Sequence, residues 1–178
     1  YNGGDSKLVL VDSTVRNNSV TGGGAGGGVY GFFNANVTIE RSTITGNTAD
    51  DVGGGIRSLG NFTIVNSTIS GNTSTGWMGG GFFHTDGVMN IVNSTIANNT
   101  APIDTTGGGF VGTFTSANAT LTLANTIFAG NSGSQCFFAP WGGGVVQLTS
   151  LGHNVATDAS CGVPAPDATD RIVADALL

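Results

Sequence analysis

Five seven-residue segments of this chain repeat one pattern at intervals too short for separate domains, so a stacked solenoid is the first fold to test. They are Asp12 to Asn18 (D-S-T-V-R-N-N), Arg41 to Asn47 (R-S-T-I-T-G-N), Asn66 to Asn72 (N-S-T-I-S-G-N), Asn93 to Asn99 (N-S-T-I-A-N-N) and Asn125 to Asn131 (N-T-I-F-A-G-N). Their closing asparagines, at 18, 47, 72, 99 and 131, are 29, 25, 27 and 32 residues apart. A unit of that size cannot bury a hydrophobic face alone, whereas copies stacked on one another bury a continuous one.

Counting back from each closing asparagine sorts the chain into columns. Three positions back stand Val15, Ile44, Ile69, Ile96 and Phe128; eight back, Leu10, Ile39, Ile64, Ile91 and Leu123; ten back, Leu8, Val37, Phe62, Met89 and Leu121. The last two columns differ by two positions and so share one side of a strand, while Val9, Thr38, Thr63, Asn90 and Thr122 between them face the other way. A third strand follows each glycine triplet, Gly26 to Gly28, Gly53 to Gly55, Gly79 to Gly81, Gly107 to Gly109 and Gly142 to Gly144, with Val29, Ile56, Phe82, Phe110 and Val145 as the inward residue. Three short strands and three turns per unit describe one rung of a single-stranded parallel β-helix, an all-β solenoid of about five coils with rungs about 4.8 Å apart.

The turns follow from residue type. Asn17, Gly46, Gly71, Asn98 and Gly130 precede the closing asparagines, and Gly and Asn enter left-handed backbone conformations most readily. Asn18, Asn47, Asn72, Asn99 and Asn131 then stack at rung spacing, where an amide ladder can satisfy groups the turn leaves unpaired. The regular coils run over 1–132. From 133 to 178 the pattern loosens into a final coil and a cap or anchor-like segment.

Composition excludes several functions. A formal charge of −6 with five Lys and Arg leaves no basic patch for nucleic acid. No apolar run reaches the roughly 20 residues of a spanning helix, and no signal-peptide pattern opens the chain. Tyr1 in place of an initiator Met suggests a processed chain or a fragment. Cys136 and Cys161 could be free core thiols in a reducing compartment; with an otherwise extracellular-looking composition, a disulfide stapling the last turn is expected.

The repeated S-T-I-x-G-N with G-G-G-I between copies resembles the right-handed parallel β-helix repeats of bacterial surface proteins, including polymorphic outer-membrane and autotransporter passenger proteins. The ending, with Cys136, S-L-G-H-N at Ser150 to Asn154, D-A-S-C at Asp158 to Cys161 and D-A-L-L at Asp175 to Leu178, resembles the choice-of-anchor Q proteins of bacteria. The resemblance implies a right-handed helix, export and a cell-surface or extracellular location. It implies no reaction.

Enzymes that cleave polysaccharides use such solenoids with clustered carboxylates. Here Asp50 and Asp51, Asp86 beside His84, and Asp104 are scattered, so no catalytic residue, metal or cofactor is expected. His84 stands in a column of Gly31, Ser58, Gly112 and Gln147 and reads as a satisfied turn histidine rather than a ligand. The outward row after the triplets, Tyr30, Arg57, Phe83, Val111 and Val146, is apolar for a solvent face and could stack on sugars, contact a protein, or simply cover the sheet. Thr14, Thr43, Thr68 and Thr95 form an interrupted threonine column. Eight N-x-S/T sequons arise from the repeat, those at Asn36, Asn61 and Asn118 lying in loops. The expected role is a non-enzymatic structural or adhesive surface element, whose partner is a cell-surface protein or glycan or another copy stacked end to end. A carbohydrate-binding or carbohydrate-cleaving solenoid is the alternative.

Overall fold

A computed structural model of the chain describes residues 5–102, 107–113, 120–139, 147–162 and 167–175. Every strand pairing in it is parallel and joins one rung to the next. The long sheet stacks Lys7–Val11, Asn36–Glu40, Asn61–Val65, Val88–Val92, Thr120–Ala124 and Gln147–Ser150. A second sheet stacks the three-residue strands of the repeated motif, from Thr14–Arg16 through Thr43–Thr45, Thr68–Ser70, Thr95–Ala97 and Ile127–Ala129, and continues onto Val155–Ala156 and Arg171–Ile172. The strands after the glycines, Val29–Gly31, Ile56–Ser58, Phe82–His84, Phe110–Thr113 and Cys136–Ala139, form the third sheet. The early rungs add a fourth, two-residue strand after the asparagine turn: Ser19–Val20, Thr48–Ala49 and Thr73–Ser74. The fold is therefore an all-β parallel solenoid of about five turns.

The register matches the sequence columns. Val37, Phe62, Met89 and Leu121 pair in line, as do Ile44, Ile69, Ile96 and Phe128, and all are buried in one continuous core. Aromatic rings run along its axis: Phe62 meets Phe82 edge-on at 5.7 Å between centroids, and Phe82 stacks on Phe110 at 5.6 Å.

Two polar ladders flank this core. In the first, the side-chain oxygen of Asn47 accepts both the backbone and amide N–H groups of Asn18, and Asn72 does the same for Asn47, Asn99 for Asn72 and Asn131 for Asn99, all at 2.9–3.0 Å. Each buried amide also donates to a backbone carbonyl of the preceding rung, as Asn72 does to Ile44 at 3.0 Å. Gln135 ends the ladder by accepting from the Asn131 backbone and amide. The second ladder is built from the motif's serines. Ser13, Ser42 and Ser67 donate backbone N–H groups to the hydroxyls of Ser42, Ser67 and Ser94 in turn, and Thr126 N–H donates to Asn154 Oδ1. Buried Asp170 closes that column by accepting from Asn154 N–H and Ser150 Oγ. A residue just before each serine or threonine adopts positive φ: Asp12 at 48°, Arg41 at 46°, Asn66 at 51°, Asn93 at 50° and Asn125 at 48°. This is a second left-handed turn, in addition to the one before the asparagine ladder.

Each glycine of a triplet has its own reason. Gly53 is left-handed, at φ 67°. A Cβ at Gly54 would fall on the Thr73 backbone and 2.6 Å from the Gly80 carbonyl. A Cβ at Gly55 would sit 2.9 Å from the Asn72 amide of the following rung. The last rung differs from the sequence expectation. Cys136, and not Val145, follows Phe110 in the inward column, and Phe137 and Phe138 follow Val111 and Gly112 in place of Val146 and Gln147. Gln147 instead starts the last strand of the long sheet, opposite Thr120. The physical reason is that no further asparagine rung lies beyond Asn131, so the position of the third glycine no longer has an amide to clear, and Gln135 occupies it and supplies the missing amide itself. The triplet Gly142 to Gly144, with Val145 and Val146, lies outside the described residues, as do Asp104 and Asn118. Cys136 and Cys161 are joined by a disulfide with Cα atoms 4.8 Å apart, which ties the last inward strand to the short 3₁₀ turn Ala159–Cys161.

Candidate functional site

The row Tyr30, Arg57, Phe83, Val111 pairs in register along the third sheet and faces away from the main core. It is not an open solvent face. The connections leading into the glycine triplets fold back over it and place Val52 and Met78 against Phe83 and Val111, with Ala25 and Phe137 alongside, as a second small core. Val111 is sealed in this layer and Phe83 nearly so. Large apolar residues here bury more area under the loops than they would in water, which is why an apolar row could be sustained on an outer face.

The cover is incomplete over the first three rungs. There a cleft of about 460 Å³ opens, lined by Tyr30, Arg57, Phe83 and Thr85 on the sheet side and by Gly24, Asp51 and Trp77 on the loop side. The loop residues form a column of their own: Asp51 N–H donates to the Gly24 carbonyl at 3.2 Å, and Trp77 N–H to the Asp51 carbonyl at 3.0 Å. Ser74 Oγ also donates to the Asp51 carbonyl, at 2.5 Å, so the Asp51 backbone is held from both neighbouring rungs. Directly beneath, Ala25, Val52 and Met78 anchor the column in the second core. Trp77 remains 39% exposed. Beyond Tyr30, the edge-on contacts of Tyr30 with Phe32 (6.0 Å) and Phe32 with Phe33 (4.9 Å) extend an aromatic strip to exposed Phe33.

Arg57 is the central charge. Its guanidinium lies 4.5 Å from the centroid of the Phe83 ring, a cation–π contact, and its Nη1 donates to Thr85 Oγ1 and to the Ser58 carbonyl. Burial brings its pKa down to about 10, opposed by Tyr30, Asp51 and Asp86, and it stays cationic at neutral pH. The two adjacent aspartates separate in role. Asp50 accepts the backbone N–H groups of Gly23 (3.1 Å) and Gly24 (2.7 Å), which hold its carboxyl below the ordinary range and brace the cleft wall. Asp51 lines the cleft.

His84 does not belong to the cleft. It points into the main core beside the stacked Phe82 and Phe110 rings, 6.5 Å from each, fully buried, with Nδ1 3.1 Å from Ser58 Oγ. Burial lowers its pKa to about 4 despite a hydrogen bond with the Gly87 backbone. Among the described residues no group of three His, Cys, Asp or Glu side chains could hold a metal ion.

The cleft combines residues expected from the sequence, Tyr30, Arg57 and Phe83, with Asp51, weighed from the sequence only as one of several scattered carboxylates, and with Trp77 and Thr85, which sequence reasoning missed. A signal for Asp51 and Trp77 existed. Aligned on the glycine triplets instead of the asparagines, the second position before the first three triplets reads Gly24, Asp51, Trp77, while the position after it reads Ala25, Val52, Met78 and is apolar over those three rungs. A column that varies beside one that does not marks a wall free to carry specificity.

The sequence matches the right handed beta helix region family over residues 2–163, and the chain belongs to that family. No curated protein matches it, and no solved structure does. Membership fixes the hand of the solenoid and leaves the chemistry of the cleft to its own residues.

Proposed function

We propose that this chain is a non-enzymatic, exported solenoid that acts as an adhesive surface element and holds a carbohydrate ligand in the cleft between Tyr30 and Trp77. The observation that carries this reading is the wall column Gly24, Asp51, Trp77, where side chains depart from the repeat and meet Tyr30, Arg57 and Thr85 across a concave space. Aromatic faces beside fixed hydrogen-bonding groups suit a ligand with apolar C–H faces and hydroxyl edges. The acid/base pair of a glycosidase is not supported by this arrangement, since Asp51 is the one carboxylate among the lining residues and Asp50 is engaged by Gly23 and Gly24. Export is supported by the disulfide and by the likeness of the ending to surface-anchored bacterial families.

End-to-end stacking is the weaker assembly route. Among the described residues Gln135 and Asp170 are the last members of the two ladders, and the 3₁₀ turn carrying Cys161 lies against the strand Cys136–Ala139. A glycan microarray probed with the purified chain tests the proposal: binding that falls in a Tyr30→Ala, Trp77→Ala double variant is expected, and absence of any glycan binding refutes it.

A further inference from the structure

Resting on the carbohydrate reading above, we propose that the cleft selects a neutral pyranose and discriminates against uronates and other anionic sugars. The contacts available are of two kinds. Trp77 on the third rung and Tyr30 on the first contribute aromatic rings to the lining on either side of the rung that carries Arg57, about two rung spacings, or roughly 10 Å, apart along the axis. Between them Asp51 supplies carboxylate oxygens that can only accept, and Arg57 supplies the N–H groups other than Nη1, held in direction by the stack on Phe83. A ring bearing vicinal hydroxyls satisfies both, because each hydroxyl donates to Asp51 and accepts from the other side.

An anionic sugar meets the wrong charges. The single cation among the lining residues is fixed in place: its face lies on Phe83 and Nη1 donates to Thr85 and the Ser58 carbonyl, so its other N–H groups meet a ligand hydroxyl as they stand, while pairing with a carboxylate through both terminal nitrogens would require it to turn. Asp51 on the wall and Asp86 nearby offset its charge. Turning Arg57 toward a ligand carboxylate would break the stack on Phe83 and the bond to Thr85, and would still leave the ligand charge beside Asp51. At longer range, a net charge of −6 repels a polyanion further. A hydroxyl-only ring avoids all of these costs.

The test is calorimetric titration of the intact chain with two probe sets, glucan, mannan and galactan oligosaccharides as the neutral class, and galacturonan and alginate oligosaccharides as the acidic class. At least one neutral probe is expected to bind at least tenfold more tightly than every acidic probe. Trp77→Ala, a change at an exposed loop position whose thermal melt checks the fold, is expected to weaken that binding about tenfold. Asp51→Asn, which keeps the shape and removes the charge, is expected to narrow the neutral-to-acidic ratio several-fold. Acidic probes binding as tightly as neutral ones would overturn the selectivity and leave the carbohydrate reading standing. Failure of both classes to bind would overturn both, and neutral binding unaffected by either substitution would remove the ligand from this cleft.

Discussion

His84 is a non-repeating polar side chain placed in the middle of the solenoid core, and it makes folding depend on pH in a window of its own. Its column otherwise holds Gly31, Ser58, Gly112 and Phe138, and it is packed beside the stacked Phe82 and Phe110 rings with Nδ1 against Ser58 Oγ. Burial disfavours the imidazolium and lowers its pKa from 6.5 to about 4, with Arg57 acting in the same direction and Asp86 and the Gly87 backbone acting against it. The unfolded chain takes up a proton near pH 6.5, and the folded chain takes one up only near pH 4. The stabilising contribution is thus complete above the unfolded value and is lost as pH falls from about 6.5 to about 4. At about 1.4 kcal/mol per pKa unit, the loss over that window is roughly 3 kcal/mol. That is a substantial part of the stability of an ordinary domain. The carboxylates with lowered values, Asp12, Asp50 and Asp167, start from 3.8 and act only below the window. Urea unfolding followed by circular dichroism across this range should give a falling midpoint at constant m-value for the native chain. His84→Asn, which can still hydrogen-bond Ser58 but does not titrate, should start less stable because of lost packing and then show a much flatter profile. A variant that keeps the native slope between pH 6.5 and 4 would refute the reasoning.

Other perturbations act on named contacts. Asn72→Ala strands the buried Asn47 N–H and one amide hydrogen of Asn47, so at roughly 1–3 kcal/mol per stranded group a loss of roughly 2–6 kcal/mol is expected in urea unfolding; Asn18→Ala, at the exposed end of the ladder, should cost under about 1 kcal/mol. Gly54→Ala drives a Cβ into the Thr73 backbone and should leave the chain unable to fold, whereas Gly22→Ala meets no atom within 4 Å and pays only for its left-handed φ of 78°, about 1 kcal/mol by thermal melt. Opening the Cys136–Cys161 bridge in a double serine variant releases a loop of sequence separation 25 and should lower stability by roughly 3–4 kcal/mol, with hydrogen exchange rising first around Ala159–Cys161.

Most of the fold was legible because a repeat samples its own rules several times. Ile44, Ile69 and Ile96 recur at one offset from an asparagine, and that regularity alone dictates a shared inward position and a parallel register. The serine ladder was hidden for the opposite reason. Ser42, Ser67 and Ser94 carry no sign of a ladder in the sequence, because only the neighbouring left-handed φ at Arg41, Asn66 and Asn93 brings their hydroxyls to the serine N–H groups of the preceding rung. The end of the solenoid was misread at Val145 because the glycine triplet was taken as the cause of the third strand. Its cause is the need to clear the next asparagine amide, a need that ends at Asn131, where Gly133, Ser134 and Gln135 stand where a triplet would otherwise be.

The same logic separates structural residues from candidates for function. A position whose side chain meets the rungs above and below is constrained to a small set of residues, and its identity reports on stacking. Asn72, Ser67 and Gly54 are of this kind. The cleft wall is not: Asp51 and Trp77 hold their register through backbone hydrogen bonds and through Val52 and Met78 beneath them, so their side chains can differ, whereas Gly24 on the first rung is confined by Val20, on whose Cγ2 a Cβ there would fall. A solenoid that decouples rung registration from side-chain identity at one column can change what it binds without changing how it folds. Substitutions at Asp51 and Trp77 should therefore alter binding while leaving the thermal midpoint nearly unchanged, and substitutions at Val52 and Met78, one residue on, should do the reverse. If Trp77→Ala melted as early as Met78→Ala, the wall would be part of the scaffold and the assignment of the cleft as a binding site would fail.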